Sequence, residues 1–156
     1  MSNEHKKFFH FATYMPVLFL IMLGVAVAIY MIIPIHFFNQ KSHISTLIVG
    51  GILFIIGSGI IITTEIVKQP FMKAVQSHEY KEFMHGMYRF SRHPITIGFI
   101  AMFFGVGFIL NSLSFIMISI VFSGIMAIVV VPRYEEAMLA LSKAYDEYRK
   151  HVRRWI

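Results

Sequence analysis

Two short groups of charged residues stand where helices are predicted to begin. In the first, Arg92-His93-Pro94 opens a long apolar run, with Ser91 just before it. Proline suits the first position of a helix and pushes the preceding residue toward extended geometry, so His93 is predicted to cap the helix from just outside it. The positive end of a helix dipole attracts carboxylates and phosphates, so Arg92 and His93 indicate an anion site. A basic residue marking the edge of a membrane helix is the alternative interpretation.

The second group, Arg133, Glu135 and Glu136, follows Pro132. Acidic residues in the first turn of a helix complement its dipole by about 0.3–1 kcal/mol, and this alone would explain the two glutamates. The chain contains no cysteine, which excludes disulfides, thiolate zinc ligands and a thiol nucleophile. No metal site is expected.

The composition is that of a membrane protein. The chain has 156 residues, of which 57% are hydrophobic, and a mean hydropathy of +0.69. Four apolar runs, at 14–33, 44–62, 95–110 and 113–131, approach the roughly 20 residues that a helix needs to cross a bilayer. In lipid the backbone must satisfy its own hydrogen bonds, so these runs predict helices. The expected fold is an all-α polytopic membrane protein with four transmembrane helices.

The positive charges predict the orientation of these helices. Of the 14 Lys and Arg residues, only Lys41 falls in a predicted external segment. Both termini are therefore expected in the cytosol, with the chain in the plasma (inner) membrane. The net charge of +6 then reflects topology and attraction to anionic lipid rather than nucleic-acid binding. The first apolar run is too long for a signal peptide and predicts an uncleaved helix.

Polar segments flank the second half of the chain. Residues 70–85 mix aromatic with charged side chains and predict a cytosolic connector lying on the headgroups. After Pro132 a single amphipathic helix is predicted, packing on the bilayer or the connector, with a coiled-coil seam as the alternative. Its apolar stripe consists of Tyr134, Met138, Leu141, Tyr145, Tyr148, Val152 and Trp155. We expect one membrane domain, 1–156, with two N-terminal helices in 1–67 and a catalytic core in 68–156.

Other polar or glycine-containing positions in the apolar runs favour structural explanations. Glu65 lies one turn from Lys68 and predicts a snorkelling surface pair. Gly57-Ser58-Gly59 and Gly105-Val106-Gly107 lie inside apolar spans without a following strand, turn and helix. They therefore indicate close helix packing rather than dinucleotide binding.

Taken together, the two charged groups resemble a known family. The motif Gly-x-Tyr-x-x-x-Arg-His-Pro-x-x-x-Gly begins at Gly86, and Glu135-Glu136 follows after one helical hairpin. This combination is similar to the integral-membrane methyltransferases, namely isoprenylcysteine carboxyl methyltransferase and its phospholipid-methylating relatives, over residues 80–156. The resemblance implies S-adenosylmethionine as cofactor and a lipid or lipidated substrate as partner.

The resemblance also assigns roles by position. It implies that His93 and Arg92 act at the reacting centre and that Arg133 approaches an anionic group of the substrate. The positions that would line the cofactor are Tyr80, Lys81, Glu82, Phe83, Tyr88, His93, Pro94, Ile95, Thr96, Glu135 and Glu136.

The chain departs from the family pattern at two places. Thr96 replaces the family's tyrosine after Arg-His-Pro-x, and residues 141–148 replace its Phe-Gly-x-x-Tyr-x-x-Tyr. The second match requires a segment after Glu136 that is two residues shorter, which leaves open which glutamate points inward. We expect it to be Glu135.

A sulfonium methyl group is already activated, so transfer mainly requires a nucleophile held close in a water-excluding site. A carboxylate or thiolate acceptor would need positioning by Arg92 and Arg133, whereas an amine acceptor would need His93 or a glutamate as base. An NADPH-dependent lipid or steroid reductase and a non-catalytic membrane scaffold are the alternative functions.

Overall fold

The computed structural model describes the backbone of residues 3–36, 43–66 and 79–156, and the side chains of residues 16–36, 44–66 and 79–156. These residues are mostly helical and form no β-strand. Two short 3-10 helices, Tyr80–Phe83 and Gly86–Arg89, precede the second half of the molecule. The α-helices are α1 (Asn3–Ile32), α2 (His43–Ile66), α3 (Pro94–Ile109), α4 (Leu113–Ile125), α5 (Val131–Leu141) and α6 (Lys143–His151).

Among the described residues, two helical stretches are long and apolar enough to cross a membrane. These are Ile44–Ile66 and the continuous stretch Leu113–Leu141, while the apolar helices Pro16–Ile32 and Pro94–Ile109 are shorter. Apolar side chains are strongly exposed along α1 and α2, for example Met31 at 77% and Ile55 at 72%. Such surfaces suit contact with lipid tails rather than water.

Four glycines set the distance between α2 and α3. A Cβ added to Gly50 would lie 2.6 Å from the carbonyl oxygen of Gly105, and one added to Gly57 would lie 2.6 Å from that of Gly98. The order of these pairs shows that the two helices run antiparallel. Without a hydrophobic driving force inside lipid, close backbone contact of this kind is a main source of helix association. The glycines therefore hold α3, and with it the Arg92-His93-Pro94 motif at its start, against α2.

The hairpin between α3 and α4 is closed by three residues. Asn111 adopts a left-handed backbone conformation with φ of 48°, and Ser112 caps α4 by accepting a hydrogen bond from the N–H of Phe115 at 3.2 Å. Ile35 accepts a hydrogen bond from the N–H of Leu113 at 2.9 Å. This contact ties the end of α1 to the hairpin. Helices α3 and α4 thus form a tight hairpin.

The sequence predicted a single amphipathic helix after Pro132, and the structure differs from this prediction in two ways. The helix from Leu113 continues through a π-helical turn, Met126–Val130, directly into α5. The predicted amphipathic helix is then broken at Ser142, whose extended backbone (φ −144°, ψ 121°) separates α5 from α6. The prediction of one continuous helix over this region was therefore wrong, because the apolar stripe keeps its spacing across a backbone break.

The described residues omit parts of several predicted elements. The cytosolic connector falls largely in 67–78, which includes Lys68, and the external loop falls largely in 37–42. The predicted Glu65–Lys68 pair therefore lies partly outside the described residues and stays a prediction.

The glycine contacts between α2 and α3 can be tested by adding single methyl groups. Gly57→Ala places a Cβ 2.6–2.8 Å from backbone atoms of α3, so the helices must separate, at a cost of about 1–3 kcal/mol. Gly59→Ala is the matched control, since nothing lies within 4 Å of its added Cβ. Thermal melting in detergent should show a lower melting temperature for Gly57→Ala only. Equal melting of both variants would contradict the close packing.

A candidate active site at the start of helix α3

The segment before α3 presents His93 to the rest of the molecule. His93 occupies the N-cap position, Pro94 the first helical position, and the Ser91 Oγ accepts a hydrogen bond from the His93 N–H at 3.1 Å. The imidazole itself makes no capping hydrogen bond. The backbone thus follows the sequence-based prediction for this motif, while the ring remains free to contact other elements.

The carboxylate of Glu135, in the second turn of α5, is the centre of the site. His93 Nε2 lies 2.9 Å from Oε1, and Arg92 Nη1 lies 3.1 Å from the same oxygen. Arg154 contacts both oxygens, with Nη2 2.6 Å from Oε2 and Nε 3.3 Å from Oε1. The Glu135 carboxylate therefore connects the two charged groups of the sequence: Arg92 and His93 before α3, and Glu135-Glu136 in α5.

Burial divides the partners of Glu135 into two kinds. The exposed fractions of the side chains are 2% for His93, 6% for Glu135 and 11% for Arg92, but 44% for Arg154. Buried charges are tolerated only when they are paired, and here the pairing is mutual. Arg154 reaches this enclosed group from the surface.

The hydrogen bond to Glu135 fixes the tautomer of His93. An ionised carboxylate can only accept, so His93 Nε2 carries the hydrogen and donates it. Burial lowers the pKa of His93 below its ordinary value of 6.5; Glu135 opposes this shift, and the guanidinium groups of Arg92 and Arg154 add to it. His93 is therefore neutral at pH 7. Among the described residues its Nδ1 has no hydrogen-bond partner, so a lone pair is available there.

Residues 152–156, which follow α6 and are called the 152–156 segment below, cover the site. Its backbone accepts two hydrogen bonds from the segment before α3: Arg153 O from the Arg92 N–H at 3.1 Å, and Arg154 O from the Ser91 hydroxyl at 3.2 Å. The Trp155 ring lies 6.1 Å from that of His93, between centroids. The 152–156 segment thus contributes directly to the site.

An aromatic cluster supports the site from the other side. Phe83 packs against Tyr145 and Tyr148, with ring centroids 5.9 and 5.3 Å apart. The Tyr148 hydroxyl donates a hydrogen bond to Tyr88 O at 2.6 Å, which links α6 to the Gly86–Arg89 turn. Tyr134 packs edge-on against His93, with ring centroids 5.6 Å apart. The cluster fixes the elements that carry His93 and Glu135.

Three buried polar atoms have no hydrogen-bond partner in the described part of the chain: Arg92 Nε, Ser142 Oγ and Tyr145 Oη. Burial raises the pKa of Tyr145, and Glu135 adds to the shift while Arg92 opposes it, which places the phenol within the field of the charged cluster. Unpaired buried polar groups are costly and uncommon in native proteins. Two of them, on Arg92 and Tyr145, belong to side chains that interact with Glu135, which is what a site for a polar ligand would show.

The structure brings together only some of the predicted site residues. Arg92, His93 and Glu135 are in direct contact, and Pro94 and Thr96 are buried in the adjacent first turn of α3. Phe83 and Tyr88 are buried in the aromatic cluster. The predicted residues that project further outward are Tyr80, Glu82 and Ile95, which are half-buried, and Lys81, Arg133 and Glu136, which are exposed.

Four residues at the site were not predicted as site residues from the sequence. Tyr134, Tyr145 and Trp155 were included only in the apolar stripe, and Arg154 was counted only among the cytosolic positive charges. No spacing or motif separates Arg154 from its neighbour Arg153. Only the backbone path after α6 shows which of the two arginines turns inward.

The fold and the site together describe an all-helical membrane protein with an enclosed, charged site at one end of its helices. A family model for phospholipid methyltransferases matches residues 45–147, which is about two thirds of the chain. The chain belongs to this methyltransferase family. No curated protein and no solved structure matches it.

The two glutamates differ in burial, so equal substitutions should have unequal effects on stability. Glu135→Gln removes the charge that pairs with Arg92, which is 11% exposed and cannot fully regain water. We expect the free energy of unfolding to fall by about 1–3 kcal/mol, because Arg92 is left poorly paired. Glu136→Gln, at an exposed position, should stay within about 0.5 kcal/mol of the parent. Thermal melting in detergent would measure both, and equal stabilities would contradict the central role of Glu135.

The lowered pKa of His93 predicts a loss of stability on acidification. As the pH falls below 6.5, the unfolded chain takes up a proton that folded His93 refuses, so the folded state loses stability until its own lower pKa is reached. His93→Gln can still donate a hydrogen bond but does not titrate in this range. Melting temperatures between pH 7.5 and 5 should fall more steeply for the parent than for His93→Gln. Parallel curves would show that His93 is not desolvated.

Proposed function

We propose that this protein transfers a methyl group from S-adenosylmethionine to a lipid or lipid-like acceptor at the cytosolic face of a membrane. The observation that carries the proposal is the contact between His93 and Glu135, at 2.9 Å, within a chain of the phospholipid methyltransferase family. This contact unites the two motifs whose combination resembles the membrane methyltransferases. A scaffold would not need two motifs 42 residues apart to meet in a buried ion cluster.

The residues around Glu135 suit a polar, charged cofactor. Arg92 Nε and Tyr145 Oη are buried hydrogen-bonding groups without a partner among the described residues, and a ligand's acceptor groups would satisfy them. We infer that Arg92, Tyr145 and the first turn of α3 hold polar parts of S-adenosylmethionine, with Tyr88, Pro94 and Thr96 forming the wall. When bound, the cofactor supplies an activated methyl group. The protein's task is then to position the acceptor and exclude water.

His93 is suited to take a proton from an amine acceptor. It is neutral because burial lowers its pKa, its Nε2–H is held by Glu135, and its Nδ1 lone pair has no partner in the described chain. An ammonium headgroup must lose a proton before it can attack a methyl group, so a neutral imidazole is the appropriate base. Arg133, which is exposed, would approach the anionic part of the same lipid. These features favour a phospholipid amine over an isoprenylcysteine carboxylate as acceptor.

The proposal also includes a membrane arrangement. The hydrophobic parts of α1, α2, α3 and the Leu113–Leu141 stretch would form four crossings in one domain, with the Lys- and Arg-rich ends in the cytosol. The Gly86–Arg89 turn, the start of α3 and the 152–156 segment lie together at that end. A lipid diffusing in the inner leaflet would bring its headgroup to the level of His93.

The test is methyl transfer by the purified protein in lipid vesicles with radiolabelled S-adenosylmethionine. Vesicles contain either a primary-amine phospholipid or an isoprenylcysteine acceptor, and we expect label in the amine lipid. His93→Ala should abolish transfer, whereas His36→Ala, the same substitution at a residue after α1 that contacts Asn111 beyond the opposite end of α3, should retain it. S-adenosylhomocysteine should stabilise the parent by about 2.7 kcal/mol at 100 times its dissociation constant. Stabilisation by NADPH alone would refute the proposal in favour of a reductase.

A further inference from the structure

We propose that Arg154 is a positioning residue of this site: by gripping both oxygens of Glu135, it fixes the orientation of His93 for the reaction. The inference rests on the proposed function, because it assigns Arg154 a part in methyl transfer. It concerns a residue in a segment after α6 that neither the family match nor the motif before α3 includes.

The geometry of the carboxylate carries the inference. Oε1 of Glu135 has three partners, on His93, Arg92 and Arg154, whereas Arg154 Nη2 is the one partner of Oε2 in the described part of the chain. An arginine that contacts two oxygens of a carboxylate holds the plane of that group as well as its charge. Without Arg154 the carboxylate would be free to rotate about its last bond. The direction in which Oε1 accepts from His93 would then be lost.

The position of the arginine is fixed independently of its side chain. The Arg153 and Arg154 carbonyls accept hydrogen bonds from Arg92 N and Ser91 Oγ, at 3.1 and 3.2 Å. These two bonds attach the 152–156 segment to Ser91 and Arg92, the two residues that immediately precede His93. These bonds therefore fix the backbone from which the Arg154 side chain extends to Glu135. The Arg154 side chain is 44% exposed.

Charge and geometry can be separated by substitution. Arg154→Ala removes both the positive charge and the paired hydrogen bonds, whereas Arg154→Lys keeps the charge but cannot hold both oxygens in one plane. Arg153→Ala is the matched control: it removes the same charge from the neighbouring residue, whose exposed side chain makes no hydrogen bond or ion pair in the described structure. Its backbone carbonyl, which accepts from Arg92, is retained.

The first measurement is the titration of His93 by NMR of ring-labelled protein in detergent, with His93→Gln to assign the signal. The groups facing His93 are Glu135 and Tyr134 from α5, Arg92 from its own segment, and Arg154 and Trp155 from the 152–156 segment. Removing one positive charge from this set favours the imidazolium, so Arg154→Ala should raise the pKa of His93. Arg153→Ala should leave it at the parent value. An unchanged pKa in Arg154→Ala would overturn the contact itself.

The second measurement is kcat for methyl transfer at a pH above the titration of His93 in every variant. Misplacement of a reacting group by about 1 Å can cost on the order of 10²-fold in rate, so we expect a kcat loss of that order for Arg154→Ala and Arg154→Lys. Arg153→Ala should retain the parent kcat. A raised pKa with an unchanged kcat would overturn the positioning role. If the parent itself transferred no methyl group, the proposed function would fail, and the titration would still decide whether Arg154 holds Glu135.

Discussion

The carboxylate of Glu135 is the contact on which the arrangement of the site depends. It accepts hydrogen bonds from His93 and Arg154 and forms an ion pair with Arg92, and these three side chains come from two different segments, one before α3 and one after α6. Neither segment contains a long regular element that could hold it in place. A buried ion cluster is not a general source of stability, since its desolvation cost offsets much of the attraction. We infer that it provides specificity instead, because in this arrangement Arg92, His93 and Arg154 all pair with the one carboxylate.

The helices supply the rigid frame that makes this arrangement possible. Gly50 and Gly57 allow α2 to approach the backbone of α3, which fixes the start of α3 where His93 stands. A helix of 16 residues is about 24 Å long, which is short for a bilayer crossing. In the proposed membrane arrangement, a short α3 keeps its charged end near the membrane surface, within reach of both lipid and water. Helix α3 thus both packs closely against the backbone of α2 and positions His93 at the site.

The sequence predicts the helices better than it predicts the site. The apolar runs and the proline at the start of α3 identify the elements because each signal is local. The inward position of Glu135 rather than Glu136 depends on the π-helical turn at Met126–Val130, which changes the helical phase just before α5. No residue in that apolar stretch marks the turn. The helix break at Ser142 and the contact of Arg154 with Glu135 could not be predicted from the sequence either, because both depend on contacts between distant segments.

The balance of charge explains why His93 is neutral although it contacts a carboxylate. Two guanidinium groups already pair with Glu135, so a protonated imidazole would be a third positive charge beside a single negative one. Burial further disfavours the charged ring, since 2% of the side chain is exposed. Glu135 therefore orients His93 without turning it into a permanent cation. A histidine held in one tautomer, with its other nitrogen unprotonated at neutral pH, can accept a proton and release it again, as base chemistry requires.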